Sequence, residues 1–292
     1  MIKYIKRIDL DIVKYNTCID SALNSRIYAH SWYLDIVAAN WDALVLDDYA
    51  AVMPLPWRQK YFIKYIYKPC WTQQLGVFST DSIDEVLVKE FIKAIPRKFR
   101  KITLQLNSEN PISGKGVTKK INYILPLNGE YKELFKEFNR SRKRRCNRAL
   151  LENFSIEKID FHSFIKIVKK HYPFLKSTNE DYFKLQVLMS KISENRLGKV
   201  HGIKCLDEEI LGASIILNDE NRITYLFGVV TPEGKNMQAM SFFINNIIMS
   251  NSGTSLIIDF EGSMEKGIAD FYKSFGAIKE VYKVYHKEFT LL

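Results

Sequence analysis

Apolar residues recur along this chain with two periods, and the switches between them divide it into elements. Residues 2–8 alternate and predict a strand. Asp9 to Leu23 predicts a helix, with Asp9 as N-cap and Ile12, Tyr15, Ile19 and Leu23 on one face. Tyr28 to Ala39 predicts an aromatic helix holding Trp32 and Tyr33. Residues 41–47 and 50–57 read as a hairpin turning at Asp47-Asp48, with the prolines near Trp57 marking an edge or strand end. A strand at 63–67 precedes a helix from Ser82 to about Ile95, opened by a Ser82/Glu85 capping box and closed by Pro96. Residues 101–107 form the next strand. The tract 108–118, rich in Ser, Asn, Pro and Gly, is the expected domain boundary.

The second stretch runs in a similar order. Residues 122–127 predict a strand, Glu130 to Glu152 one long helix, and 154–159 a strand. Helices follow at 160–171 and 179–195, then a hairpin, 200–205 with 210–217, around Asp207-Glu208-Glu209. The strand 223–230 leads through Thr231-Pro232-Glu233-Gly234-Lys235-Asn236 into a helix from Met237 to Met249, with Met240, Phe243, Ile244, Ile247 and Ile248 at helical spacing. Gly253 stops it. The nearly all-apolar run 255–260 has the character of a strand buried on both faces. A short helix around Gly267–Phe275 and a closing strand, 278–289, end the chain. The class is α/β (α+β), and no residue-level repeat links the two stretches.

Composition changes the picture in two places. The 292 residues, 47% hydrophobic and 26% charged, suit one large or two ordinary domains with a buried core. The formal charge of +10 attracts anionic partners, although most of the lysines are scattered. No apolar run reaches the ~18–20 residues of a membrane span, and the N-terminus lacks a signal-like apolar core, so a cytoplasmic location is expected. The four cysteines are far apart and read as free thiols. The five histidines lack metal-ligand spacing, and no metal is expected.

Two clusters carry candidate chemistry. Arg140 to Arg148 holds six cations and no acid, and like charges at i,i+4 weaken a helix unless an anion relieves them. Phosphates suit arginine forks, which points to Arg144, Arg145 and Arg148. In the first stretch, Gln73 and Gln74 follow Trp71 and supply uncharged donors and acceptors for a polar ligand.

The order strand, turn, helix, strand, then Ala269-Asp270-Phe271-Tyr272 with Gly276 four residues on, resembles the second half of GNAT-type N-acyltransferases. The run Ile257-Ile258-Asp259-Phe260-Glu261-Gly262-Ser263 is similar to the "DFxG" segment of the Fem-type (FemABX) branch. The end of the basic run, through Cys146-Asn147-Arg148-Ala149, resembles that branch's "RxxIRKA" helix. The resemblance implies two GNAT-like domains in tandem, 1–118 and 119–292, with mixed central sheets flanked by helices. It implies an N-acyltransferase that moves an acyl or aminoacyl group from acyl-CoA (acetyl-CoA) or aminoacyl-tRNA onto an amine. The reacting carbonyl would lodge between splayed strands, 223–230 and 255–260. Tyr272 would be the general acid, Asp259 and Glu261 would hold or deprotonate the amine, and Tyr225 would face the cleft. Gly234, Lys235 and Asn236, with the arginines, would hold donor phosphates, and Gln73, Gln74 and Trp71 the acceptor. The turn at 231–239 has one glycine where CoA-binding relatives have two, so the alternative is a non-catalytic GNAT-like protein binding an anionic ligand or partner.

Overall fold

The computed structural model describes residues 1–288 apart from 174, 176, 206–208 and 263. The first elements are β1 (Ile2–Lys6), α1 (Ile12–Ser21), α2 (Ser31–Val37), β2 (Asn40–Leu46), β3 (Ala51–Lys60), β4 (Ile63–Ile66), β5 (Phe78–Ser79), α3 (Glu85–Ala94), β6 (Phe99–Leu106) and β7 (Val117–Pro126). They are followed by α4 (Tyr131–Glu137), α5 (Arg140–Ala149), β8 (Ser155–Lys158), α6 (Phe161–His171), α7 (Asn179–Glu194), β9 (Gly198–Lys204) and β10 (Ile210–Asn218). The last are β11 (Arg222–Val230), α8 (Pro232–Met237), α9 (Ala239–Asn251), β12 (Ile257–Gly262), α10 (Lys266–Lys273) and β13 (Ile278–Glu288). Two compact units result: residues 1–121 with 281–292, and residues 122–280. The turn expected at Asp207-Glu208, the end of the closing strand at Phe289, and Ser263 lie outside the described residues.

In the first unit the strand order is β1-β2-β3-β4-β6-β13, with β5 also on β3. Among the described residues the one parallel pair of named strands here is β4 with β6. Met53, Leu55, Phe91, Phe99 and Leu104 anchor its core, with Trp57 and Tyr285 packed against it. Three local expectations shift. Asp11, not Asp9, caps α1, accepting from Lys14 N–H. Asp84, not Ser82, caps α3, accepting from Leu87 N–H, while Glu85 accepts from Ser113 instead. The prolines do not mark an edge. Pro54 and Pro56 lie mid-strand and pair with β2, but β5 covers only Ala51–Val52 and β4 only Trp57–Lys60 of the other side. The missing proline N–H groups thus fall where no neighbour asks for them.

In the second unit the order is β7-β12-β11-β10-β9-β8, and among the described residues only β11 and β12 are parallel. Strand β10 is buried from Leu211 to Leu217, in keeping with a sequence that is apolar there except for Ser214, whose hydroxyl donates to Phe227 O. Phe243, Ile244 and Ile248 of α9 pack into the core with Phe164, Leu188 and Ile215. The long helix expected from 130 to 152 is two. It breaks at Phe138-Asn139, where Asn139 caps α5 through Arg142 N–H and donates its own N–H to Ser274 O at 3.0 Å. The helix expected to begin at Met237 is preceded by α8, and the two meet at Gln238 in the left-handed conformation, φ +68°.

Candidate functional site

The parallel pair β11/β12 is the organising feature of the second unit. Its register is Arg222↔Ile257, Ile223↔Ile258 and Thr224↔Asp259, and there the pairing ends. Both strands continue, to Val230 and to Gly262. Each carries an irregularity at the point of separation. On β11, Leu226 is an extra residue between Tyr225, opposite Ile216, and Phe227, opposite Ile215. On β12, the register against β7 slips between Asp259 and Gly262, and Glu261 sits at φ +54°. Bulges bend a strand and end its pairing, so the two strands part and leave a wedge. At its far end the Tyr172 hydroxyl accepts the Val230 N–H at 3.2 Å.

Aromatic rings occupy the wedge. Tyr272, from α10, stacks on Phe260 with centroids 4.4 Å apart and planes 17° from parallel. Tyr225 meets Tyr272 edge-on at 6.2 Å and lies 6.4 Å from Phe260. The Tyr225 ring lies over Gly228, where an added β-carbon would sit 1.7 Å from the phenol oxygen. Burial drives the Tyr272 phenol well above the ordinary tyrosine value, and the Tyr225 and Glu261 charges push the same way. Burial likewise raises Tyr225, opposed by a hydrogen bond to Ser214. Tyr272 therefore holds its proton and can part with it only to a strong base.

The two carboxylates do not share one side of the strand end as alternation would suggest, because Glu261 has left extended geometry. Asp259 is 1% exposed. Its Oδ2 accepts Arg222 Nη1 at 2.8 Å, and its Oδ1 accepts Asn122 Nδ2 at 2.8 Å and the Glu261 N–H at 2.9 Å. Glu280 completes the group, accepting from Arg222 and from Asn122, both at 3.0 Å. With three of its roughly four acceptor positions taken by Arg222, Asn122 and the Glu261 N–H, this carboxylate is tied into the structure. Glu261 is half-buried and close enough to Tyr272 to influence its proton.

The phosphate turn differs from the expectation in detail. The Thr231 hydroxyl accepts the Gly234 N–H at 3.0 Å, and the Lys235 N–H goes to Thr231 O. An added β-carbon on Gly234 would lie 2.1 Å from the Leu211 carbonyl oxygen. Gly234 is thus a close-packing position whose amide is already used. Lys235 and Asn236 are exposed on the short helix α8.

On α5 the basic run divides by face. Arg140, Arg144, Arg145 and Arg148 are exposed, and Arg148 reaches Glu152 at 3.7 Å. Arg142 is buried. It donates to Ser274 Oγ at 2.8 Å and to Ser241 Oγ, and its guanidinium lies 4.4 Å from both the Phe271 and Phe275 ring centres. Desolvation lowers its pKa to about 10. It joins α5 to α9 and to α10, the helix that carries Tyr272.

No protein-family model and no curated protein matches the chain. Solved structures do. FemX superposes with a TM-score of 0.69 at 12% identity, over 94% of this chain and 96% of its own. The fold is the Fem fold. L-PGS from Bacillus licheniformis gives a TM-score of 0.56 at 14% identity, covering 96% of this chain and 93% of that one. The C-terminal domain of a putative lysylphosphatidylglycerol synthetase from Agrobacterium fabrum gives 0.58 at 10%, covering 94% and 91%. The Fem-type fold implied by the C-terminal motifs is thereby shown.

Within this Fem fold, Tyr225, Asp259, Glu261 and Tyr272 are brought together in the second unit. Trp71, Gln73 and Gln74 belong to the first. There Gln74 Nε2 donates to Gln73 Oε1 at 2.7 Å, and Ser108 N–H to Gln74 Oε1 at 3.2 Å. Gln73 is 5% exposed and Gln74 0%, and the adjoining cavity holds about 10 Å³, too little for a substrate group. Trp71 sits in the left-handed region, φ +57°, its carbonyl accepting the Tyr33 hydroxyl. These residues order a buried loop. Two hollows of the second unit, about 220 and 420 Å³, adjoin α6 and α7 and are lined by none of Tyr225, Phe260, Glu261 or Tyr272. Among the described residues no His, Cys, Asp or Glu group could hold a metal ion, and no helix is long and apolar enough to cross a membrane. Arg142, Arg222, Glu280, Asn122 and Tyr172 were not predicted from sequence. Nothing separates Arg142 from its neighbours in a basic run, and Arg222 and Glu280 meet only through the fold.

Proposed function

We propose that this chain is an N-acyltransferase whose donor is an aminoacyl ester carried on RNA. The wedge between β11 and β12, with the Tyr272 phenol inside it, carries the reading. The acyl carbonyl enters where the ladder stops, and backbone N–H groups of β11 beyond the last rung polarise it. The amine nitrogen attacks the carbonyl carbon and its proton passes to Glu261. The ester C–O bond breaks, and Tyr272 gives its proton to the departing ribose oxygen. Glu261 then returns a proton to the phenolate, leaving both groups as they began.

Three observations favour an ester over a CoA thioester. A phenol raised by burial matches an alkoxide, a far stronger base than a thiolate. The Gly234 amide, which would cradle a pyrophosphate, is committed to Thr231. The exposed face of α5 offers Arg144, Arg145 and Arg148 to a run of phosphates. A neighbour of the same fold bears the name of a lysylphosphatidylglycerol synthetase, and a lysyl group is an aminoacyl group.

The test is transfer of label from charged tRNA, and separately from acetyl-CoA, to a panel of peptide and lipid amines. Amide product from charged tRNA alone is expected. Transfer only from acetyl-CoA reverses the donor assignment. Thermal stabilisation by tRNA without product from either donor favours the second reading, a binding protein, which the ring-filled wedge also suits.

A further inference from the structure

The backbone of β12 decides where the wedge begins. Ile257 donates its N–H toward β11, to Asn221 O at 3.1 Å, while Leu256 O accepts Leu127 N–H on the opposite side at 2.9 Å. Alternation then turns the amides of Ile257, Asp259 and Glu261 toward β11. With Arg222 opposite Ile257, the next rung in order is Glu261 N–H to Tyr225 O. That rung is not made. The Glu261 N–H turns back to the Asp259 carboxylate at 2.9 Å, and the turn forces the left-handed φ of +54°. A non-glycine residue held there costs free energy that its surroundings must offset.

The surroundings do so. Asp259 is fixed by Arg222 and Asn122, and Arg222 is fixed in turn by Glu280. All four side chains are less than a tenth exposed. Arg222 stands at the first β11/β12 pair and Asp259 at the third, so their 2.8 Å ion pair clamps the strands together across the paired segment. One carboxylate thus closes the ladder on one side of itself and denies it a donor on the other.

We propose that Asp259 is a positioning residue: by capturing the Glu261 N–H it stops the β11/β12 ladder and opens the wedge in which Tyr272 acts. The functional half of this inference rests on the acyltransfer reading above. The structural half does not. Once the rung is removed, Phe260 is released from regular pairing beyond Asp259 and presents its ring to Tyr272.

The unaltered protein supplies the first test. With ¹⁵N-glutamate labelling, and the Glu261 signal assigned through Glu261→Gln, the Glu261 amide should exchange at least about tenfold more slowly than an open-loop amide. Asp259→Ala leaves Arg222 and Glu280 as a neutral pair. Its crystal structure should show Glu261 N–H on Tyr225 O, with pairing past Thr224/Asp259. Asp259→Asn keeps an acceptor oxygen and should restore the open strands. In transfer assays the Ala variant should lose about tenfold or more in kcat with donor KM unchanged, and the Asn variant should recover most of it. The proposal is overturned if the parent Glu261 amide exchanges like a loop, or if the Ala variant keeps its strands parted. Should the Ala variant not fold, the parent's exchange decides alone. Should the parent turn over no donor, the acyltransfer reading falls, while exchange and coordinates still decide what opens the wedge.

Discussion

The ring of Tyr272 lies flat on the ring of Phe260, 4.4 Å between centres, so a residue of α10 and a residue of β12 share one face at the point where the sheet opens. Stacking fixes the ring without using its hydroxyl. Tyr272→Phe should therefore keep stability within about 0.5 kcal/mol, since ring burial is unchanged. Acyl transfer should fall by about 10² or more, the usual size of a lost general acid. Paired thermal melts and kcat measurements check this. A variant with full activity would remove Tyr272 from the chemistry.

Gly234 makes its contribution through packing against the Leu211 carbonyl. Backbone cannot step aside as a side chain can. Gly234→Ala should cost about 1–3 kcal/mol with no ligand present. Denaturant titration of the ligand-free protein measures it, and an unchanged midpoint would show that the turn has room to relax.

Arg144 and Arg145 are exposed, so reversing their charge should barely touch folding. Arg144→Glu with Arg145→Glu should leave the melting temperature near that of the parent and weaken tRNA binding. The slope of log affinity against log salt should flatten by roughly 0.9 for each phosphate that is no longer neutralised. Binding measured across a salt series decides it. Parent-like affinity at low salt would make these arginines bystanders.

Burial and the neighbouring Lys199 hold the His201 imidazole below its ordinary value of 6.5. The unfolded chain then takes up this proton at a higher pH than the folded one, so stability declines as pH falls below about 6.5. His201 packs on Phe243 with centroids 5.5 Å apart. His201→Gln should lose less stability than the parent between pH 7.5 and 5.5, even if it starts lower. Melts at the two pH values give the comparison, and equal losses would show that other groups set the acid limb.

Much of the second unit was legible because its signals are local. The apolar run at 255–260, the turn at Thr231 and the Tyr272 segment follow from period, turn chemistry and resemblance. What escaped depends on residues distant in sequence. Asn139 breaks the predicted 130–152 helix by capping α5 and bonding to Ser274, and no nearby residue announces Ser274. Asp259 and Glu261 look alike in a strand pattern, yet one is locked by Arg222 and the other turned by a positive φ. Pro54 and Pro56 read as an edge because periodicity cannot show which rungs of a paired strand go unused. The expected boundary at 118/119 lies near the observed break at 121/122, but the return of residues 281–292 to the first unit has no marker in composition.

Helix α5 holds Arg142, Cys146 and Ala149 inside and Arg140, Arg144, Arg145 and Arg148 outside, all within ten residues. Two selective pressures therefore interleave on one short cylinder. A saturation library across it should resolve into stripes, intolerant positions recurring every three or four residues between others that matter only when a polyanion is supplied. The same amino acid, arginine, would then be indispensable to folding at 142 and dispensable to it two residues later.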